Sequence, residues 1–596
     1  MIRIPRQSTI LMSAVIVTLG FSVPAPAEVH DYLGNPDAPW PAKVEGHQPV
    51  QPGEHPRLLF RESDLPALRK KMNTPEGQAI LKRLREQLNG GDGKTMPGDM
   101  GAGPGDGSEF EHAGAGSTFT ISHVAGYGLL YQLTGEQIYA DLARKARDAA
   151  LAGYRGADKR YSLQSPGGAL RAGPSLGWYA VGYDLAYDGW DAEYRRKITE
   201  FIENYDEGNN MSLEELVRGS RHHPRSNHWG MQVGGGAMAL LAIMNDPGVD
   251  QDRIDKLLQT SQQAMKRNLT EGLGDGGYFA EGDGTGSMSS HIIFLPALQA
   301  WENAAGLDFY TPRPNAQWAA LRWMLGTVVE GGKPQFPARD GYPHNVWDRD
   351  GFSGAGYFTH GLGVGTPEQQ AAWLWFYNEF FKERDLERGT PYDTVSYLPH
   401  VGVMSLVNWP LDIQPVNPAE AIPLASLDDQ YNYAMLRNRF QDSDDTIITI
   451  LATRPRSHTK SKEIGPVWIT TGGRRSTWGR MTGEATYFQA MQDGSATLAT
   501  KDGTALAADF SGNAGGDMLV MSGPGAPDEN TVDLNGRSFS FKFLGDGMAP
   551  EPKVDGDAIV VGQQKITYAD GHIVLHNTAE PWDGPTPKAQ AAAAGR

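Results

Sequence analysis

A basic stretch followed by a run of small residues, in the middle of the chain, decides the predicted fold. The stretch reads Arg218-Gly-Ser-Arg221-His222-His223-Pro-Arg225-Ser-Asn227-His228-Trp229-Gly230, and the run reads Met231-Gln-Val-Gly-Gly-Gly-Ala-Met-Ala-Leu-Leu-Ala-Ile243. The small residues predict a helix that packs tightly against its neighbours. The polar residues would then lie at the entrance of that helix, where backbone N–H groups favour anions.

The charge of the basic stretch contrasts with that of the whole protein. Three arginines and three histidines lie between residues 218 and 228 in a chain of formal net charge −18. The acidic balance argues against nucleic acid and against an anionic membrane surface. The local positive charge, with an amide and a tryptophan, suits an anionic ligand such as a carboxylated sugar. The alternative is a solvated loop whose histidines have no role.

The N-terminus has the pattern of a targeting segment. Residues 1–27 contain Arg3 and Arg6, a short apolar run from Ile10 to Phe21, and the cleavage pattern Ala25-Pro26-Ala27. This is typical of a secretory signal peptide, so we expect a periplasmic or secreted protein. No apolar run is long enough to span a bilayer. Cysteine is absent, so nucleophiles or metal ligands must come from His, Tyr, Ser or carboxylates.

From about residue 60 to 385 the apolar residues recur with a helical period. After two segments beginning at Ser63 and near Ile80, the predicted helices are Ile121–Leu133, Glu136–Ala152, Leu176–Tyr187, Ala192–Tyr205, Gly230–Met244, Asp250–Glu271, Ser287–Ala305, Ala316–Val329 and Pro367–Phe381. About ten helices in series suit antiparallel helical hairpins arranged as an α/α toroid. We expect this domain to span residues 28–390.

From about residue 395 the period changes to two. The predicted strands are Asp445–Thr453, Ala485–Met491, Ala496–Thr500, Asp517–Met521, Ser538–Phe543, Ala558–Val561, Ile566–Tyr568 and His572–His576, with a hairpin turn at Ala569-Asp570-Gly571. Short strands with polar turns favour an antiparallel β-sandwich, expected over residues 391–585. Residues 586–596 form a low-complexity tail.

Four landmarks along the chain resemble the heparinase II/III-like polysaccharide lyases. They are His55-Pro56-Arg57-Leu58-Leu59-Phe60 with Asp64-Leu65-Pro66, Asn227-His228, Gly274-Asp275-Gly276-Gly277-Tyr278-Phe279-Ala280-Glu281-Gly282, and Tyr397-Leu398-Pro399-His400-Val401-Gly402-Val403. They occur in the family's order and spacing over most of the chain. The resemblance implies an α/α toroid, an incomplete barrel of helical hairpins, followed by an antiparallel β-sandwich. It also implies cleavage of an anionic, uronic-acid-containing polysaccharide by β-elimination.

The sequence departs from the family's pattern at two places. The family usually has a tyrosine shortly after its Glu-Gly, whereas residues 283–291 contain none. The family's histidine- and aspartate-rich zinc run corresponds here to Arg454–Lys460, which keeps only His458. No ligand motif therefore supports a structural zinc, and no cofactor is expected. His222-His223 and Glu111-His112 also lack metal-ligand spacing.

A uronate lyase must neutralise the sugar carboxylate before the neighbouring proton can leave. An amide and a protonated histidine or arginine can do this without a metal. We expect Asn227 and His228 to act in this way, helped by Arg221 or Arg225. The alternative role for Asn227 is helix capping, which is compatible with function.

The base is open among Tyr278, His291 and Tyr342, and His400 is a further catalytic candidate. Tyr278 lies in the Gly-rich landmark, and its alternative role is an aromatic core residue. His291 opens an apolar helix, which favours a core histidine. Tyr342 lies in a polar aromatic loop, and such loops are often ligand surfaces. His400 could close the cleft from the β-domain, or make an ordinary interdomain hydrogen bond.

The remaining predicted substrate-binding residues are Trp229, Glu281, Arg339 and His344. Paired carboxylates offer a rival chemistry, an inverting glycoside hydrolysis. The carboxylates concerned are Asp275, Glu281, Asp283, Asp340, Asp348 and Asp350. A third reading is a glycan-binding relative that has lost turnover. The sequence leaves open the uronate, endo or exo action, and the oligomeric state.

Overall fold

The structure is a computed structural model in which side chains are placed. It describes residues 40–101, 103, 115–156, 158–220, 222–274, 276–282, 290–311, 314–330, 333–335, 356–442, 444–453, 464–545 and 550–582. The predicted signal peptide and C-terminal tail lie outside these residues.

Helices occupy the N-terminal two thirds of the described chain. They are α1 (Leu65–Lys71), α2 (Pro75–Asn89), α3 (His123–Thr134), α4 (Gln137–Leu151), α5 (Ala169–Ala186), α6 (Ala192–Glu203), α7 (Leu213–Arg218), α8 (Asn227–Ile243), α9 (Gln251–Arg267), α10 (Leu295–Ala305), α11 (Pro314–Leu325), α12 (Tyr357–Val364), α13 (Pro367–Phe380), α14 (Lys382–Glu387), α15 (Pro399–Asn408) and α16 (Pro418–Ala421). Short π-helical turns, Asn268–Gly272 and Ser290–Phe294, follow α9 and precede α10.

The helices form two concentric layers. In the inner layer α3 packs against α5, α5 against α8, α8 against α10, α10 against α12, α12 against α15, and α15 against α3. In the outer layer α4 covers α3, α7 and α9 cover α8, α13 covers α12, and α2 covers α15. The circuit of inner helices with hairpin partners outside confirms the predicted toroid.

The inner helices are apolar on every side because neighbours surround them. Every residue of α8 except His228 is buried. Helices α5 and α8 approach closely at Gly173 and Gly235, where a Cβ on Gly235 would lie 1.9 Å from the Gly173 carbonyl oxygen. The small-residue run therefore forms the tightly packed helix that the sequence predicts.

Several helical boundaries differ from the predictions; among them, the helix predicted over Ala316–Val329 ends at Leu325, and Val329 lies in a short strand, Val328–Glu330. Helix α5 begins at Ala169 and continues through Pro174, an interior proline that the sequence pattern was not expected to tolerate. Residues Pro399–Asn408 form α15, packed against α2 and α3. The helical part thus extends beyond residue 395, where the sequence pattern was interpreted as changing to period two. An apolar run of this length does not distinguish a buried helix from a strand.

The segment before α1 is fixed to the toroid by a buried polar network. His55 contacts Asp184 through Nδ1 (2.8 Å) and Asp246 through Nε2 (3.1 Å). Arg57 donates to Asp246 (2.6 Å), and its backbone N–H donates to Asp184 (2.9 Å). Since Asp184 lies on α5 and Asp246 follows α8, the first landmark joins the N-terminal segment to two inner helices.

Antiparallel sheets occupy the C-terminal part. Four short strands come earlier in the chain: β1 (Ala42–Lys43), β2 (Leu307–Asp308), β3 (Val328–Glu330) and β4 (Lys333–Gln335). The strands of the C-terminal part are β5 (Ala425–Asp428), β6 (Tyr433–Arg437), β7 (Ile447–Leu451), β8 (Pro466–Thr471), β9 (Arg474–Arg480), β10 (Ala485–Ala490), β11 (Ala496–Thr500), β12 (Ala505–Asp509), β13 (Asp517–Ser522), β14 (Thr531–Leu534), β15 (Arg537–Leu544), β16 (Lys553–Asp555), β17 (Ala558–Val561), β18 (Gln564–Ala569) and β19 (His572–Leu575). They form sheets β5–β9 in sequential order, β10-β11-β12-β13-β15-β14, and β16–β19.

The three sheets stack as layers, with the six-stranded sheet in the middle. On β13, Leu519 and Met521 face a core shared with the five-stranded sheet, while Met518 and Val520 face a core shared with the four-stranded sheet. Both faces of the middle sheet are therefore buried, and β11 and β12 are buried along their whole length. The predicted sandwich is confirmed and carries a third sheet.

Two further observations bear on the predictions. The turn between β18 and β19 has Asp570 and Gly571 at φ +49° and +85°, as the hairpin signal predicts. Among the described helices, none combines the length and apolarity needed to cross a membrane.

Candidate functional site

The polar residues of the basic stretch gather at the N-terminus of α8. Ser226 caps the helix, its Oγ accepting from the His228 backbone N–H at 3.3 Å. Asn227 is the first helical residue and is 4% exposed. His228 is half-buried, and its ring centroid lies 4.4 Å from that of His222. The N-terminus of α8 thus carries the amide of Asn227, and the rings of His228 and His222 lie beside each other there.

Glu281 closes the same helix end from the Gly-rich landmark. Its Oε2 accepts from the Asn227 backbone N–H at 2.7 Å, and the residue is 8% exposed. A carboxylate is stabilised there by the helix dipole. The protein's own carboxylate therefore occupies the first backbone N–H of α8.

The π-helical turn after α9 holds the basic stretch in place. Asn268 donates from Nδ2 to the Pro224 carbonyl at 2.9 Å. A Cβ on Gly272 would lie 2.7 Å from the same oxygen, so this approach requires glycine. His223 is 3.9 Å from Glu271, whose other oxygen accepts from Arg267 at 2.7 Å. His223 therefore points to the exposed outer side, away from the helix end.

The Gly-rich landmark is also the surface on which the β-domain docks. The carboxylate of Asp428, at the end of β5, accepts the backbone N–H groups of Tyr278 (2.9 Å) and Tyr431 (3.1 Å). A Cβ on Gly276 would lie 2.4 Å from the Asp428 backbone nitrogen, and one on Gly274 would lie 2.0 Å from its Oδ2. The glycines of the landmark are thus required by the interdomain contact.

Replacing Gly276 with alanine should loosen this junction. The added methyl group meets backbone atoms of β5, which cannot move without shifting the strand, so we expect a loss of about 1–3 kcal/mol. Thermal unfolding and limited proteolysis measure it. Gly98→Ala is the matched control, since no atom lies within 4 Å of its Cβ position. An unchanged stability of Gly276→Ala would show that the contact is not required.

Tyr278 lies inside this junction. Its ring is 1% exposed and lies between those of Tyr431 (centroids 5.5 Å apart) and Tyr433 (5.0 Å). The Tyr431 hydroxyl donates to the Glu271 carbonyl at 2.6 Å, and burial raises the pKa of Tyr431. The positive charge of Arg225 acts to lower the pKa of the same Tyr431 phenol. Tyr278 and Arg225 therefore lie on the β-domain side of the α8 terminus.

His400 belongs to a second cluster on the inner helices. Its ring stacks on Trp178 of α5, with centroids 4.4 Å apart, and lies 6.3 Å from His360 of α12. Burial, and then the charge of His360, hold the pKa of His400 well below its usual value. Its imidazole is therefore neutral at neutral pH, the form that can accept a proton.

The π-helical turn Ser290–Phe294 packs against both α5 and α8. Trp178 donates from Nε1 to the Ile292 carbonyl at 3.1 Å. Ile293 packs against Gly177 of α5 and Gly234 of α8. The backbone of His291 is part of this turn.

Trp229, predicted to bind substrate, is buried and packed against its neighbours. It is 4% exposed, and its Nε1 donates to the Ala264 carbonyl at 3.0 Å. A Cβ on Gly219 would lie 2.4 Å from the indole ring, and Arg267 lies over that ring. A buried indole with these neighbours cannot stack on a sugar.

Four predicted site residues, Arg221, Arg339, Tyr342 and His344, lie outside the described residues, as does the side chain of His291. The basic run 454–460 also lies outside them. Within the described ranges, no group of three or more His, Asp or Glu residues is arranged to hold a metal ion.

Sequence reasoning missed several residues that the fold brings to these clusters. They are Trp178, His360, Asn268, Asp428 and Tyr431. His360 lies in α12, an unpredicted short helix rich in glycine. Asp428 ends a strand too short to have a clear period. The pair Asp428 and Tyr431, flanking a turn before an apolar run, was the available signal.

Comparisons with known proteins give distant structural matches. No known protein-family model matches the chain, and no curated protein matches it. A crystal structure of heparinase III aligns with a TM-score of 0.38 and 13% identity, covering 87% of each chain. A mutant heparan sulfate lyase from Pedobacter heparinus aligns with a TM-score of 0.35 and 12% identity, covering 76% of this chain and 81% of that one. At these values the likeness decides neither substrate nor mechanism.

Proposed function

We propose that this protein is an exported polysaccharide lyase that cleaves a uronic-acid-containing glycan by β-elimination. The observation that carries the proposal is that Asn227 and His228 begin α8 and that the His222 ring lies beside the His228 ring there. In an acidic protein, a concentration of amide and imidazole groups at one helix end suits an anionic sugar. The landmarks that resemble polysaccharide lyases support the same reading.

In the proposed reaction Asn227 and a protonated His228 bind the uronate carboxylate. Their hydrogen bonds strengthen as negative charge moves onto that group while the neighbouring proton is removed. The electron pair of the broken C–H bond forms the C4–C5 double bond, and the bond from C4 to the glycosidic oxygen breaks. The leaving oxygen takes up a proton. The products are an unsaturated uronate and a new chain end.

We take His400 as the first candidate for the base, because its neutral imidazole can accept a proton. The ring is buried among the inner helices and stacks on Trp178. Tyr278 is the second candidate; it is 1% exposed and its ring neighbours those of Tyr431 and Tyr433, while His400 is 0% exposed, so burial does not decide between the two. His291 and Tyr342 remain candidates from the sequence.

This assignment predicts the pH dependence of the reaction. A base acts unprotonated, so the rate rises with pH through the pKa of His400. Because that pKa lies well below 6.5, the rise should be complete below pH 6.5, and His400→Gln should lose most of the activity. Steady-state rates across pH measure this, with unfolding temperatures as the folding control. If the rate of His400→Gln rose with pH at the same pH as the wild-type rate, His400 would be excluded as the base.

The function is tested by absorbance near ~232 nm, where an unsaturated uronate absorbs. Wild-type protein is incubated with alginate, glucuronan, hyaluronan, heparin and chondroitin. An increase with at least one supports the lyase. New reducing ends without that absorbance would instead indicate the hydrolase reading, and binding without turnover would indicate a glycan-binding protein.

A further inference from the structure

A pocket on the outer side of the toroid lies apart from the α8 terminus. Its volume is about 350 Å³, and it is bounded by α1, by the end of α15 and by the segment that follows α15. Val407, Trp409, Leu411 and Ile413 form its apolar wall, and Lys71 also lines it. This volume is at the lower end of the range for small-molecule sites.

Lys71 is the buried lysine of this pocket. The residue is 4% exposed, and its Nζ makes one long hydrogen bond, to the Val407 carbonyl at 3.3 Å. Within the part of the chain that the structure describes, Lys71 makes no ion pair. An ammonium has three N–H donors, so two are left for a ligand. Burying an unpaired charge is costly, and an anion in the pocket would offset that cost.

The pKa of Lys71 agrees with this geometry. Burial lowers it to about 7, and the charge of Asp412 acts against the shift. The lysine is therefore poised to gain or lose its proton near neutral pH. An anion that binds beside it would favour the ammonium form.

The apolar wall is held in place before any ligand binds. The ring of Trp409 packs edge-on against Tyr377 (centroids 4.7 Å apart) and Tyr392 (5.3 Å). The Tyr377 hydroxyl accepts from the Tyr392 backbone N–H at 2.8 Å, which fixes these rings. Leu411, at the mouth, is 41% exposed, unusual for a large apolar residue here. A ligand with an apolar body would cover it.

The titratable groups that line the pocket set the charge of the ligand. They are Lys70 and Lys71 from α1 and Asp412 from the segment after α15; the lining residues of α13 and α15 are Gln370, Val407 and Asn408. With Lys71 protonated, the three charges sum to one positive charge. A monoanion neutralises that sum, whereas a dianion would bring its second charge near Asp412.

We propose that this pocket binds a small organic monocarboxylate with an apolar body, its carboxylate on Lys71 and its body on Val407, Trp409, Leu411 and Ile413. Binding would be independent of the polysaccharide site.

Calorimetric titration of the full-length protein with hexanoate tests the proposal, with 1-hexanol as the uncharged control. Because only the ammonium form of Lys71 binds the carboxylate, affinity should be at least about tenfold weaker near pH 8.5 than near pH 5.5. Hexanol should show no such dependence. No hexanoate binding at the lower pH, or binding independent of pH, would overturn the proposal.

Two variants separate Lys71 from its exposed neighbour. Lys71→Met keeps the volume and removes the charge, and should abolish the preference for hexanoate over hexanol. Lys70→Met should retain it. Equal hexanoate affinity in Lys71→Met and wild type would contradict the assignment. Should Lys71→Met fail to fold, the pH dependence of the wild-type protein still decides.

Discussion

Replacing Asn227 with alanine is expected to lower kcat on the uronate polysaccharide by about 10²–10³-fold, the usual effect of removing one hydrogen-bond donor to a developing oxyanion. The variant keeps the backbone N–H that Glu281 accepts, so the α8 terminus should stay folded. KM should change less than kcat, because the amide binds the carboxylate more strongly as charge accumulates there. Steady-state kinetics measure both.

A matched pair of histidines controls for the local charge. His228→Ala should cause a loss of similar size, whereas His223→Ala should keep activity close to wild type, since the His223 side chain is 58% exposed and pairs with Glu271. Asn227→Asp, similar in size but negatively charged, should be at least as inactive as Asn227→Ala. Equal losses in His223→Ala and His228→Ala would indicate that the stretch contributes only a general positive field.

Replacing Asp246 with alanine is expected to destabilise the helical domain by about 3–5 kcal/mol, the usual result of breaking a buried ion pair. Asp246 accepts hydrogen bonds from Arg57 (2.6 Å), from the Tyr183 hydroxyl (2.6 Å) and from His55 (3.1 Å). Its removal leaves the buried guanidinium of Arg57 without its carboxylate. Chemical denaturation followed by circular dichroism measures the change in the free energy of unfolding.

The carboxylate of Asp246 should also make the stability of the protein depend on pH. Burial would raise the pKa of Asp246, but the hydrogen bond and charge of His55 and the charge of Arg57 outweigh burial and lower it. The stability that Asp246 contributes is therefore present above the pKa that it has in the unfolded chain, and is lost as the pH falls through its pKa in the folded protein.

Asp252→Ala, which replaces an exposed aspartate on α9, is the control for Asp246→Ala and should change the free energy of unfolding by less than about 0.5 kcal/mol. A similar effect of both substitutions would contradict the role given to the network.

The architecture was largely predictable because apolar residues recur with a clear helical period in the first part of the chain and with a clear period of two in the second. The small-residue run of α8 and the amphipathic outer helices have the spacing that the toroid requires. The middle sheet was harder, because β12 is buried on both faces and lacks alternation. Helix α15 was missed for a related reason, since burial on all sides removes the polar face by which a helix is recognised.

The site was predictable only where its residues are adjacent in sequence. Asn227 and His228 form one stretch with Arg225, and the fold keeps them at one helix end. Trp178, His360 and His400 lie on three inner helices and meet only when the toroid closes. Glu281 was expected to bind substrate, but its contact with the α8 terminus follows from tertiary structure alone.

The central claim is that the carboxylate of the substrate is the group on which the protein acts. Mass spectrometry of the products, with a cleaved polysaccharide and its carboxyl-reduced form as substrates, tests this most directly. Elimination predicts fragments whose masses sum to that of the substrate, and no cleavage of the carboxyl-reduced form. Fragments that together carry one added water, from either substrate, would contradict it.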